Sequence, residues 1–268
     1  CMRAMRKDRG LSYDAVMCLA VHVTDPPALA ERVDFAASPA PARLDRRLAV
    51  DDTRALLVEL RALAAACGWP DFWAREQPIR DAGAARLAAA VAAHDLVGWH
   101  QRALGVKQGA DTVLVAGLLA GENNYGVGVD FPGDRTPEIR PVIGCGQWDA
   151  EGMPAYAPTD GLTGLVAHEL CHSFANPVVD RHAEQLRPVG ERLFAISAER
   201  MRAQAYGDWK TTMCETLVRA CTVRCLVELV GAEPAAMRAQ NDAARGFLWV
   251  PALADALAQP LRDHPAGQ

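Results

Sequence analysis

Apolar positions change their period twice along the chain. In the first hundred residues they recur at helical spacing. Residues 11–23 are apolar except where Asp14 and His22 interrupt. Residues 51–67 open on Asp51-Asp52-Thr53, a capping signal, and stop at Gly68. Residues 82–104 are Ala-rich and carry Trp99 and His100 near their end. Between these helices, the Pro-rich stretch 37–42 reads as a loop. After Gly105 the runs shorten: 112–119 is rich in β-branched residues and Leu, and Tyr125, Val127 and Val129 alternate with glycines. Pro132-Gly133-Asp134 is turn chemistry, and 138–145 is another strand candidate. These residues predict a small antiparallel sheet with hairpin connections. A loop of Pro, Gly and Trp fills 146–159, and the helical period then returns over 162–175, 178–187, 191–206, 210–230 and 233–257. Helices, a small sheet, then helices predict an α+β fold. With no Gly/Ser-rich linker, the expectation is one domain over 1–268: a helical part (1–105), a small sheet (106–160) and a second helical part (161–268).

Composition narrows the function. The 268 residues are 50% hydrophobic and 23% charged, which supports a buried core and excludes wholesale disorder. The net charge is -5 and the arginines are scattered, so the basic face that nucleic acid requires is not expected. The longest apolar runs, around 62–67 and 113–120, are too short to span a bilayer, and no signal-peptide pattern opens the chain. Residue 1 is Cys, as in a mature lipoprotein, but a helical pattern from Leu11 leaves almost no tether, so lipidation is not expected. Eight cysteines without a CxxC pair do not form a disulfide scaffold. Cys214, Cys221 and Cys225 share a helical stripe with Val218 and read as small core hydrophobes.

One motif carries chemistry. Residues 168–172 read His-Glu-Leu-Cys-His, an HExxH inside a helical segment. Positions i and i+4 lie one turn apart on one face, so His168 and His172 can reach one metal. Glu169 flanks that face, placed to act on water without ligating the ion. Val166, Leu170 and Phe174 form an apolar back that anchors the helix. Catalytic zinc takes three protein ligands and keeps a fourth position open. The extended pattern HExxHxxGxxH is absent, because Ala175 and Val178 occupy its Gly and His places. A downstream glutamate is then the expected third ligand: Glu184, Glu191, Glu199 or Glu215. Glu191 lies at the spacing of one large class of gluzincin aminopeptidases. Glu215 lies among Met213, Cys214, Leu217, Val218 and Ala220, where an unpaired carboxylate is costly. Burial favours Glu215, whose partner is either a metal or Arg219 at i+4.

Three stretches resemble a known family. They are Asn123-Asn124-Tyr125-Gly126, the HExxHSFANP string from His168 to Pro177, and Tyr206-Gly207-Asp208-Trp209 followed by Glu215 and Val218-Arg219-Ala220. Together they are similar to a bacterial family of predicted zincin metallopeptidases, itself a domain of unknown function, over about 10–230. The resemblance implies a gluzincin-like zinc site with Glu215 as third ligand; it implies no substrate.

The expected activity is zinc-dependent hydrolysis of a peptide bond in a peptide or protein substrate, with Glu169 as general base. Tyr206, just ahead of the Glu215 helix, is either a donor to the developing oxyanion or a residue packed beside Trp209. His182 is a second donor candidate, with an exposed helix position the plainer reading. Asn176-Pro177 is expected to end the metal helix, and Asn176 is also placed to hold a ligand histidine. Tyr125, Val127 and Val129 offer either an edge for a peptide or ordinary sheet core. Two alternatives stand beside this activity: hydrolysis of a non-peptide amide, and an inactive metal-binding domain.

Overall fold

The structure, a computed structural model, describes residues 6, 10, 11, 13–104, 109–156 and 159–258. Cys1 and the change of character at Gly105 lie outside them. The fold is α+β, and it divides into two units: Cys1–Leu87 with Gly109–Ala155, and Ala88–Gln108 with Tyr156–Gln268.

The first unit holds α1 (Asp14–His22), α2 (Val50–Ala66), α3 (Trp69–Arg75) and most of α4 (Gln77–Val91). Asp51 and Asp52 do not cap α2. Ala49 is the N-cap residue, and the two carboxylates sit in the first turn, where they favour the positive end of the helix dipole. The core gathers Ala15, Cys18 and Leu19 of α1 with Phe35, with Leu56 and Leu57 of α2, and with Val129 and Phe131.

The sheet corrects the expected antiparallel meander. Its strands are β1 (Asp111–Thr112), β2 (Val115–Gly117), β3 (Tyr125–Val129) and β4 (Glu138–Gly144). β4 is central and pairs in parallel with both β1 and β2, with Thr112 opposite Ile139 and Val115 opposite Val142. Only β3 is antiparallel to it, with Val127 opposite Arg140. The chain reverses twice between β2 and β4, so these two run the same way, with β3 on the far side of β4. Period-two alternation encodes which face is buried, not which strand lies next door. Ile139, Val142 and Ile143 are buried, as a central strand requires.

The second unit is helical: α5 (Leu96–Leu104), α6 (Asp160–Arg181), α7 (Ala183–Ala203), α8 (Trp209–Leu229), α9 (Ala232–Ala244) and α10 (Val250–Leu257). Three sequence expectations are corrected. The single helix over 82–104 is two, α4 and α5, because Asp95 accepts the Gly98 N–H at 2.8 Å and starts a new helix. The single helix over 233–257 is also two. Gly246 sits at φ 110, and a Cβ there would meet Met201 Cε at 2.7 Å, so the chain turns where only glycine fits. Conversely, Pro177 does not end α6. The helix runs through it to Arg181, and buried Val179 gives the added turn a packing reason. The break falls at His182 instead, and α7 likewise contains Pro188.

Among the described residues no helix is long and apolar enough to cross a membrane. α6 and α8 pack along each other more extensively than any other helix pair.

Candidate metal centre

Local sequence places the two helices that carry the site. The Thr159 side chain accepts the Leu162 N–H at 3.0 Å and starts α6; Asp208 accepts the Thr211 N–H at 2.9 Å and starts α8. Behind α6, Cys171 and Ala175 pack on Val218 and Cys221 of α8. Cys171 is fully buried, and its thiol is held well above its ordinary range by the hydrogen bond with Cys221 and by burial. Of the stripe Cys214, Cys221 and Cys225, the last two are free, buried core residues as predicted, and Cys214 is free and half-buried.

That packing brings His168, His172 and Glu215 together. The imidazoles stand edge to face, 4.9 Å between centroids at 86°. Glu215 Oε1 lies 3.4 Å from His172 Nε2, and Oε2 lies 3.7 Å from His168 Nε2. One donor atom from each of the three residues lies within 4.8 Å of the other two. Ligand atoms around a tetrahedral ion with bonds near 2.0–2.1 Å stand about 3.4 Å apart. Each imidazole Nε2 is already near that distance from one oxygen of Glu215, so the residues fit a small divalent cation. His168 and Glu215 are buried and His172 nearly so. Burial holds the His168 pKa well below the usual imidazole range, assisted by the neighbouring His172 ring and by the positive charges of Arg219, Arg238 and Arg245. His168 is therefore neutral at neutral pH, the form that binds a metal.

The surroundings orient the donors. Asn176 Oδ1 lies 3.4 Å from His172 Nδ1, which leaves Nε2 for Glu215, so Asn176 orients one histidine of the cluster as well as preceding Pro177. Arg219 Nη2 donates to Glu215 Oε2 at 3.2 Å. Of the two partners named for Glu215, a metal or Arg219, Arg219 is thus in contact with it, and the histidine pair faces its two oxygens. Arg219 Nη1 donates to Asp242 Oδ1 at 2.6 Å, Arg238 Nε donates to Asp242 Oδ2 at 2.9 Å, and Arg238 Nη2 lies 3.5 Å from His168 Nδ1.

The other candidates separate clearly. Glu169 is buried on α6 beside His168. Tyr206 packs edge to face on Phe247, 5.5 Å between centroids, and not on Trp209 as expected; Trp209 lies under Arg187 and against Gly190. Burial and the Glu215 charge raise the Tyr206 hydroxyl above its usual pKa, and it bonds with Arg219, so it keeps its proton at the margin of the triad. Glu191 is exposed and faces Arg187 at 3.9 Å; Glu184 and Glu199 are exposed as well. His182 is exposed, with Nδ1 3.1 Å from Gln185 Oε1. Val127 and Val129 are buried against β4 and α1 and Tyr125 is half-buried, while among the described strands β3 pairs with β4 alone. Arg238 and Asp242 escaped the sequence reading, and His100 entered it only as a helix residue. The first two lie four apart in α9, a visible i,i+4 pair, but only the fold brings them to the triad.

Residues 10–261 match a domain of unknown function, DUF4932, and the chain belongs to that family. No curated protein and no solved structure matches the chain.

Proposed function

We propose that this DUF4932 protein is a zinc-dependent hydrolase of peptide bonds. The observation that carries the reading is the convergence of His168, His172 and Glu215 with Glu169 between the two histidines in sequence. Two imidazoles and a carboxylate are donors that suit zinc. A carboxylate next to the ligands that is not itself one of them favours zinc hydrolysis over a site that merely holds an ion. When bound, the ion lowers the pKa of water from about 15.7 toward about 7 and polarises a carbonyl. Glu169 takes the proton of the attacking water and passes it to the leaving nitrogen. Tyr206, protonated, donates to the negative charge that develops on the carbonyl oxygen. Arg219 and Asn176 hold Glu215 and His172 in orientation.

A second reading rests on the 3.2 Å Arg219–Glu215 bond: the cluster is an ion-pair network that needs no metal. One experiment separates the two. Purified full chain is analysed for metal, then incubated with a peptide library and examined by mass spectrometry for new termini. Bound zinc, cleavage abolished by a chelator, and loss of cleavage in Glu169→Gln support the hydrolase. A chain that takes up no zinc from buffered zinc solution favours the ion-pair network. Zinc-loaded chain that cleaves nothing would sink the peptidase.

A further inference from the structure

Asp242 lies outside the triad, on α9, and is almost fully buried, at 1% exposure. Both of its oxygens are taken by arginines: Arg219 on Oδ1 and Arg238 on Oδ2. Each arginine reaches a different member of the triad. Arg219 holds Glu215 Oε2, and Arg238 lies against His168 Nδ1. Arg219 is itself buried, stacked 4.0 Å over the Phe247 ring, so it cannot swing out to where water would screen its charge.

The charge balance makes the arrangement significant. Two guanidinium groups beside a cation site oppose the cation, and in a buried setting that opposition is weakly screened. Glu215 and Asp242 together cancel Arg219 and Arg238. Without Asp242 the cluster carries one uncancelled positive charge, next to two ligands of the ion. Arg245 also acts on His168 but is exposed, so solvent and salt screen it.

From this we propose that Asp242 is a positioning residue of the metal centre: it neutralises and ties back Arg219 and Arg238, so that Arg219 orients Glu215 and neither guanidinium repels a divalent ion. The inference rests on the metal-site reading above. Asp242 touches neither substrate nor ion; it acts through the two arginines.

The test is zinc affinity of the metal-stripped full chain, measured by competition with a chromophoric chelator, with folding followed by circular dichroism. Asp242→Asn is expected to bind zinc on the order of 10–100-fold more weakly than the parent. Arg238→Gln removes one of the opposing charges from a partly exposed position and should bind at least as tightly as the parent. The double variant Asp242→Asn/Arg238→Gln restores the charge balance and should return to within a few-fold of the parent. A residue that only ties α8 to α9 would give a double variant no better than Asp242→Asn, and that result overturns the proposal. Parental affinity in Asp242→Asn overturns it too. If Asp242→Asn does not fold, the other two variants decide: tenfold weaker binding by Arg238→Gln, or weak binding by a folded double variant, overturns it. A parent chain that takes up no zinc removes the metal centre and this inference with it. A zinc-binding parent that is insensitive to Asp242 removes this inference alone.

Discussion

Glu215 Oε1 stands 3.4 Å from His172 Nε2, although 43 positions of chain separate the two residues. The contact exists because α6 and α8 lie along each other, with Cys171 and Ala175 meeting Val218 and Cys221 behind the site. The small side chains in that seam let the helices approach until a glutamate on one meets histidines on the other.

Metal content should therefore depend on all three residues. His168→Ala, His172→Ala and Glu215→Gln should each lose most of the zinc that the parent retains after gel filtration. Glu191→Gln should keep it, since Glu191 is exposed and faces only Arg187. Elemental analysis checks this. Undiminished zinc in His168→Ala would refute the triad, and loss in Glu191→Gln would refute Glu215 as the third ligand.

Glu169→Gln should retain zinc and fold while turnover falls by roughly 10²–10⁴, the usual contribution of a general base. The substitution keeps the side chain's size at a buried position, so its effect on stability is small by comparison. Turnover near that of the parent, measured on a peptide cleaved by the zinc-loaded parent, would exclude Glu169 as the base.

The parts of this arrangement that sequence could reveal are those set by short range. His168 and His172 are one helical turn apart, and a carboxylate among Met213, Cys214, Leu217 and Val218 announces that it has a partner. Partner order in the sheet is different. Val115 lies opposite Val142 because β3 carries the chain away and back, and no local pattern records that detour. Pro177 shows the limit from the other side: the cost of proline inside a helix, ~3 kcal/mol, is borne where the turn beyond it carries buried Val179. Asp95 and Gly246, which divide two apparent helices, were visible as residues, but Ala-rich flanks hid the breaks. Asp242 pairs visibly with Arg238 four residues before it, but its link to the triad is invisible until the fold is known, because Arg219 reaches it only once α9 lies against α8.

Tyr206→Phe should leave zinc content and thermal stability nearly unchanged, since the ring still packs on Phe247. Turnover should fall by roughly 10²–10³, the value of one donor to a developing oxyanion. The readout is kcat on zinc-loaded protein, with KM recorded alongside. A drop in stability with unchanged turnover per folded molecule would make Tyr206 a core residue that only braces Arg219.

His100 should make the second unit less stable in acid. It is fully buried on α5, stacked on Phe174 of α6 at 5.4 Å between centroids. Its Nδ1 donates to the Leu96 carbonyl at 2.7 Å; Nε2 is aimed at the Ala167 backbone without reaching hydrogen-bond geometry. Burial, opposed only by those two backbone groups, lowers its pKa from 6.5 to about 4. The sign follows from proton counts. Between those two values the unfolded chain binds a proton that the folded chain does not, so stability rises with pH across that window and is lost as pH falls through it. At pH 5 the loss attributable to this one group is about 2 kcal/mol, at ~1.4 kcal/mol per pH unit. Urea unfolding of metal-stripped protein at pH 7.5 and pH 5 checks it against His100→Phe, which keeps an aromatic ring on Phe174 and removes the titration. The parent should lose about 2 kcal/mol more than the variant between the two pH values, because every other titrating group is common to both. Equal losses would mean that His100 is protonated in the folded chain at pH 5.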